Sequence, residues 1–206
     1  MGEKTIQQPL TAFDKFTVFL YRSGIVIATA CILYAIYFFY LNSAEATPNE
    51  YFIGRIPAIV FWVFVISVNM SVIFLHLYSK QILQAIRLAT QAGSVILMIL
   101  AVTGNLDYAS LFQSSGWTGK VGVIGLGLVL AGFSGIGAKE AFCFKLYEGY
   151  AYGICLAILV LLQLFGALSA KNGFIFSLIP GILILVFTLR KLTLPLHYDI
   201  GDKSRY

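Results

Sequence analysis

Charged residues are scarce in this 206-residue chain, and the shortage excludes most soluble folds. Asp, Glu, Lys and Arg make up 11% of the residues, whereas hydrophobic residues make up 59%. A soluble globular domain is about 25% charged and about 45–50% apolar. The apolar excess lies in long runs, which is typical of membrane-spanning segments. The net charge of +5 is spread along the flanks of these runs, so we expect no nucleic-acid binding.

Patterns that bind metal or haem are missing as well. Cys31, Cys143 and Cys155 have no CxxC spacing, so neither a zinc site nor a disulfide framework is indicated. A haem held across a helical bundle needs two axial ligands at one depth. The two histidines, His76 and His197, do not meet that condition in the predicted topology. A pigment held by His76 alone stays open, but we expect no cofactor and no metal.

The long apolar runs predict an all-α fold, a single polytopic membrane bundle that covers residues 1–206. We expect six transmembrane helices, at residues 17–41, 56–78, 81–103, 121–144, 150–169 and 174–189. An amphipathic segment, 1–16, precedes them, and the spacing of Thr11 and Asp14 predicts a capped helix start near Ala12. Pro180 and Gly181 should bend the sixth helix.

The tail, residues 190–206, is polar and should be ordered only if it docks on the bundle. Within it, Asp199 and Asp202 lack the further acids of a calcium loop and are interpreted as part of a solvated turn.

The distribution of basic residues predicts the orientation. With six spans, eleven of the fourteen Lys and Arg residues fall on one side, and Arg55, Lys120 and Lys171 fall on the other. Lys and Arg are enriched in cytoplasmic loops. We therefore expect both termini on the cytoplasmic side, of a plasma membrane or a thylakoid membrane.

Small residues recur at four-residue steps on the fourth predicted helix. Gly127, Ala131 and Gly135 should form one face that lets another helix approach closely. This face is interpreted as a tight contact within the chain, with a dimer seam or a groove for a flat ligand as the sharper alternatives.

Strong polar residues lie in the cytoplasmic half of four predicted helices. They are Arg22, Asn69, Arg87, Gln91, Lys139 and Glu140. Polar groups are costly against lipid, so they should face inward. The hypothesis is a cytoplasm-facing pocket for an anionic lipid headgroup or a small anion. The alternative is the ordinary positive-inside distribution, with snorkelling side chains and structural hydrogen bonds.

Three stretches resemble a known family. They are LYRSG (20–24), GIGAKEAFCF (135–144) and RKLTLPLHYDIGDKSRY (190–206). Together they resemble an uncharacterised domain-of-unknown-function family of bacterial integral membrane proteins that is frequent in cyanobacteria. The resemblance implies a multi-helix membrane protein and assigns no catalytic residue.

Two classes of function remain after these exclusions. The chain has no P-loop, HExxH or GxSxG sequence, so we expect no enzyme, although Lys139 and Glu140 could do acid–base work. The first class is a non-enzymatic accessory subunit or assembly partner in a larger membrane complex. The second is a small transporter, or a protein that binds an anionic lipid or small anion. Expected partners are membrane lipids and other membrane subunits or a second copy.

Overall fold

The computed structural model describes residues 11–44, 55–77, 79–106, 116–168 and 170–200. Within these ranges the chain forms seven helices and no strand. The helices are α1 (Ala12–Ala44), α2 (Arg55–Ile73), α3 (Lys80–Val102), α4 (Gly116–Phe144), α5 (Glu148–Leu164), α6 (Ala170–Thr193) and α7 (His197–Ile200). Residues 1–10 of the predicted amphipathic segment and 201–206 of the predicted tail lie outside the described residues.

Four of these helices contain segments long and apolar enough to cross a membrane. They are Ala12–Phe38, Lys80–Val102, Gly116–Phe144 and Asn172–Thr193. Two shorter apolar helical segments, Pro57–Ile73 and Glu148–Leu164, accompany them. A crossing takes about 17–25 residues, so α2 with 19 residues and α5 with 17 stand at the lower limit. The structure thus has the predicted all-helical architecture, with four long apolar helices.

The first helix begins where the capping signal predicted. The hydroxyl and backbone N–H of Thr11 donate to Asp14 Oδ2, at 2.7 and 2.8 Å, and the backbone N–H of Asp14 donates to Thr11 Oγ1 at 3.2 Å. These bonds satisfy amide groups that have no partner inside the first turn of a helix.

The second helix ends at Ile73, five residues before the predicted end of its span. Arg87 on α3 donates to the carbonyl oxygens of Val72 at 3.4 Å and Ile73 at 2.7 Å. The last carbonyls of a helix lack hydrogen-bond donors within the helix. Here the Arg87 guanidinium donates to two of them. This cap lets the chain turn through His76 into α3.

The helices form a closed set of neighbours with α3 on the outside. In order around the set, α1 packs against α2, α2 against α4, α4 against α5, α5 against α6, and α6 against α1. Aromatic side chains fill the centre: the ring of Phe133 lies 6.5 Å from Phe64 and 5.4 Å from Tyr152, and Tyr152 lies 5.2 Å from Phe187. α3 packs chiefly against α4 and less extensively against α2.

Glycines on α4 serve two helix contacts, which corrects the predicted single face. Gly127 faces Val160 on α5, Gly135 faces Ile86 on α3, and Ala131 between them is exposed. Because a helix turns once every 3.6 residues, positions four apart drift by about 40° at each step. Gly127 and Gly135 therefore point to different neighbours.

The closest helix approaches use other glycines. Gly125 on α4 meets Gly93 on α3, and Gly137 on α4 meets Gly149 on α5, in each case with backbone against backbone. An added Cβ at Gly93 or Gly137 would collide with a backbone carbonyl of the partner helix. In a membrane, such close packing replaces the hydrophobic drive between helices.

A buried ion cluster as the candidate functional site

Four helices bring charged side chains together at one end of the bundle. Arg22 comes from the first turns of α1, Lys139 and Glu140 from the last turns of α4, Lys191 from the last turn of α6, and Asp199 from α7. Their exposed fractions lie between 0% and 8%. We call these five residues the ion cluster.

Glu140 is the centre of the ion cluster. Its side chain is fully buried. Oε1 accepts from Lys139 Nζ at 2.8 Å and from the Tyr21 hydroxyl at 2.6 Å, and Oε2 accepts from Lys191 Nζ at 2.5 Å. One carboxylate therefore connects α1, α4 and α6.

Asp199 joins the cluster from the short helix α7. Its Oδ2 accepts from Arg22 Nε at 2.6 Å, and its Oδ1 accepts from Lys191 Nζ. Arg22 also donates to the carbonyl oxygens of Leu194 at 2.7 Å and Pro195 at 3.1 Å. The guanidinium thus holds both the α6–α7 turn and α7 itself against α1.

Aromatic rings line the cationic side of the cluster. The Nζ atoms of Lys139 and Lys191 lie 5.2 and 4.9 Å from the ring centre of Phe144, and both lie 5.6 Å from that of Tyr21. Phe144 stacks on Tyr198 of α7, with ring planes 9° apart. A cation within about 6 Å of an aromatic face is stabilised by the ring quadrupole. The rings therefore exclude solvent while they offset the surplus positive charge.

The ion cluster is closed with respect to hydrogen bonding. It holds three cations and two carboxylates. Among the described residues, no buried side-chain nitrogen or oxygen lacks a hydrogen-bond partner. Removing one member of a buried ion pair is costly in a low-dielectric interior, because the charge that remains has no partner. The arrangement is suited to fastening four helices together.

The structure unites half of the predicted pocket residues. Arg22, Lys139 and Glu140 meet in the ion cluster. Arg87 is used as the cap of α2, and Asn69 donates to Ser94 Oγ at 2.8 Å.

The remaining predicted pocket residue, Gln91, is exposed on α3. The prediction that all the polar groups face inward is wrong for Gln91, because it lies on the side of α3 away from α4.

Sequence reasoning missed Lys191, Asp199 and Tyr21. The interpretation of Asp199 as part of a solvated turn is wrong, because Asp199 is 4% exposed and forms ion pairs with Arg22 and Lys191. The signal that could have found it is the run of Arg190, Lys191 and a short acidic segment after the last apolar helix. A tail that carries a carboxylate is expected to dock on a bundle whose end holds more cations than carboxylates.

The connection between α2 and α3 lies beside the cluster. His76 is half-buried there, and its Nδ1 lies 3.0 Å from the carbonyl oxygen of Phe74. Burial lowers the pKa of His76 below its ordinary value, and the contact with Phe74 offsets part of that shift.

An apolar cavity lies in the opposite half of the bundle. Its volume is about 200 Å³, and α1, α2, α4, α5 and α6 all contribute to its wall. The polar side chains of Tyr34 and Ser177 are exceptions in a wall of aliphatic and aromatic groups that includes Phe64 and Leu130. The polar and apolar chemistry of the bundle is thus separated between its two ends.

Comparison with known proteins gives a family match and one curated relative. The sequence model of a family described as "Uncharacterized integral membrane protein (DUF2301)" matches residues 70–206. The chain is also 28% identical over 212 residues to an uncharacterized protein of Haemophilus influenzae, across 100% of this chain and 99% of that protein. This relative gives no support to the expected cyanobacterial association. No solved structure matches the chain.

Proposed function

This chain belongs to the DUF2301 family of uncharacterized integral membrane proteins, and on that premise we propose that it is a non-enzymatic subunit or assembly partner of a larger membrane complex. The observation that supports the proposal is the closure of the ion cluster. Ionisable groups inside membrane proteins usually line a substrate path or a water-filled cavity. Here Glu140 and Asp199 are each paired with two cations of the same chain, so neither carboxylate of the ion cluster is free to bind or protonate a substrate.

The topology that goes with this proposal has six crossings and both termini in the cytoplasm. α2 and α5 then cross as short helices beside the four long ones. The ion cluster, the Arg87 cap and the charged ends of α3 and α6 lie at the cytoplasmic end, in agreement with the positive-inside rule. Protease accessibility of tags at the two termini, in sealed vesicles of known orientation, tests the arrangement; one protected and one cleaved tag would reject it.

The main experiment is a mild-detergent purification of the tagged chain from its native membrane, with proteins and lipids analysed together. An unrelated tagged membrane protein of similar size, expressed at the same level, is the control. We expect a partner protein in a fixed ratio that is absent from the control. Recovery of the chain without any such partner would overturn the proposal.

The ion cluster also carries the observation that favours a second candidate. Its three cations outnumber its two carboxylates, and a surplus positive charge near a membrane surface attracts anionic lipid. Enrichment of one anionic lipid with the chain, lost in a Lys139→Met variant and kept in an Arg190→Ala variant, would favour the lipid-binding or anion-binding function. Arg190 is the matched control because it lies outside the ion cluster and 53% of its side chain is exposed, although its partner Glu148 is 10% exposed.

A further inference from the structure

The outward face of α3 has a regular composition. Seven positions that alternate steps of three and four residues are all exposed: Gln81, Gln84, Leu88, Gln91, Val95, Met98 and Val102. We call this row the α3 seam. Side chains at this spacing form one continuous line along a helix and are the contact positions of left-handed helix pairs. α3 is also the least buried of the four long apolar helices, since 17% of its most apolar stretch is buried inside the bundle.

Two glutamines of the α3 seam lie at depths where lipid would surround them. Gln91 comes eleven residues after Lys80, which is about 16 Å along the helix at 1.5 Å per residue. Its neighbour Thr90 packs against Gly132 in the middle part of α4, which places this level well inside a hydrocarbon core of about 30 Å. Gln84 lies about two turns nearer the start of α3.

The amides of Gln84 and Gln91 have no hydrogen-bond partner within the described part of the chain, unlike the polar side chains on the adjoining strip of α3 that faces α2. Arg87 is bonded to α2, and Ser94 is bonded to Asn69. An amide that faces hydrocarbon without a partner costs free energy, and glutamine side chains hydrogen-bond across helix interfaces in membranes. The α3 seam is therefore a surface built for another helix.

We propose that the α3 seam binds the α3 helix of a second copy of this chain, in a parallel pair about a two-fold axis along the membrane normal. A primary amide both donates and accepts, so Gln91 can pair with its own counterpart. Copies inserted with the same orientation bring identical residues to the same depth, whereas a different partner would need a polar residue matched to each glutamine. The exposed Ala85 and Ala92 flank the seam and permit close approach of the backbones.

This inference deepens the proposed assembly function, because it names the first partner of the assembly. The pair would be the unit that other subunits join. The two ideas fail separately: a complex that contains one copy of the chain rejects the pair and keeps the assembly function, and an isolated dimer does the reverse.

Cysteine cross-linking in native membranes tests the geometry of the pair. Leu88→Cys and Val95→Cys, in a Cys143→Ser background, place thiols on the seam. Ile154→Cys and Ile182→Cys are the matched controls, because both isoleucines are 62% exposed on other helices. A disulfide needs Cα atoms about 4.4–6.8 Å apart, so we expect oxidised dimers from the seam variants alone. Equal cross-linking at the control positions, or none at the seam, would overturn the proposal.

Substitution of the glutamines tests its chemistry. In liposomes, with dimerisation followed by energy transfer between labelled copies, Gln91→Leu should raise the dissociation constant roughly three- to twentyfold, the size expected for one interhelical hydrogen bond. Gln91→Asn should keep more of the affinity, and Gln81→Leu, in the first turn near the headgroups, should change it less than about twofold. Because leucine suits lipid, the Gln91→Leu monomer should stay folded with an unchanged helical circular dichroism spectrum.

Two results would reject a self-association role for Gln91. One is a Gln91→Leu variant that dimerises as tightly as the native chain. The other is capture of a different membrane protein at the seam cysteines in place of a second copy.

Discussion

Replacing Glu140 with glutamine removes one of the two carboxylates of the ion cluster and nearly conserves the volume of the side chain. The native carboxylate accepts hydrogen bonds from Lys139, Lys191 and the Tyr21 hydroxyl at 2.5–2.8 Å. The amide can still accept from Tyr21, but among the described residues it leaves Asp199 as the only carboxylate paired with either of the two ammonium groups. The net charge of the cluster rises from +1 to +2 in surroundings that exclude water.

The expected loss is a large part of the stability of the bundle. Removing one partner of a buried ion pair costs about 3–5 kcal/mol, because the other charge remains buried. Arg190→Ala is the matched control, because it breaks an ion pair at the edge of the bundle, where the Arg190 side chain is 53% exposed and that of Glu148 is 10% exposed. We expect it to cost less than Glu140→Gln, since solvent screens the arginine. Unfolding of both variants by a graded denaturing detergent, followed by near-ultraviolet circular dichroism, measures the difference.

A double variant separates charge from packing. Glu140→Gln combined with Lys139→Met returns the net charge of the cluster to +1 and removes the ammonium group whose only carboxylate partner in the described structure is Glu140. We expect it to recover stability relative to Glu140→Gln alone. If Glu140→Gln costs no more than Arg190→Ala, or if the double variant is additive, the cluster does not fasten the helices and the reasoning fails.

Three further outcomes follow from the same structure. Asp199→Asn should release α7, so limited proteolysis should cut near residue 195 in the variant and leave the native chain intact; equal cleavage of both would contradict the docking. Gly137→Ala should destabilise the bundle by about 1–3 kcal/mol, since its Cβ meets a backbone carbonyl of α5, whereas Gly153→Ala, whose Cβ would lie 3.2 Å from the nearest atom, should cost less in the same detergent titration. His76 has a lowered pKa in the folded chain, so the unfolded chain binds its proton first as the pH falls, and stability should decline below about pH 6.5; a His76→Gln variant should lose that slope.

The sequence predicted the helical architecture because a long apolar run in lipid satisfies its backbone hydrogen bonds by forming a helix. The start of α1 followed from Thr11 and Asp14, whose capping bonds are local. The end of α2 did not, because it depends on Arg87, which reaches back fourteen residues to Ile73. Boundaries set by a neighbour in space cannot be read from a local pattern.

The candidate site was predicted in part for the same reason. Lys139 and Glu140 could be picked out because they are charged residues within an apolar run. Arg22 could be picked out for the same reason, near the start of the first apolar run. Asp199 lies in a polar tail where acidic residues are ordinarily solvated, so its burial depends on the contact with Arg22, 177 positions earlier. The orientation of Gln91 was likewise beyond reach, because periodicity places a residue on a face but does not say which face meets the bundle.

The bond between Arg22 and Asp199 also orders the events of biosynthesis. Arg22 is synthesised 177 residues before its carboxylate partner Asp199. At about 5–20 residues per second, roughly 9–35 s pass before Asp199 is added. During that interval the positive charge sits at the start of a helix already suited to enter the membrane, together with Lys139 once α4 has been made. Without Asp199 the ion cluster has three cations and one carboxylate, and the addition of α7 lowers its net charge from +2 to +1. The ion cluster can therefore close only after residue 199 has been made. A chain released before residue 199 would keep a net charge of +2 at this end of the bundle, which distinguishes it from a chain that contains α7.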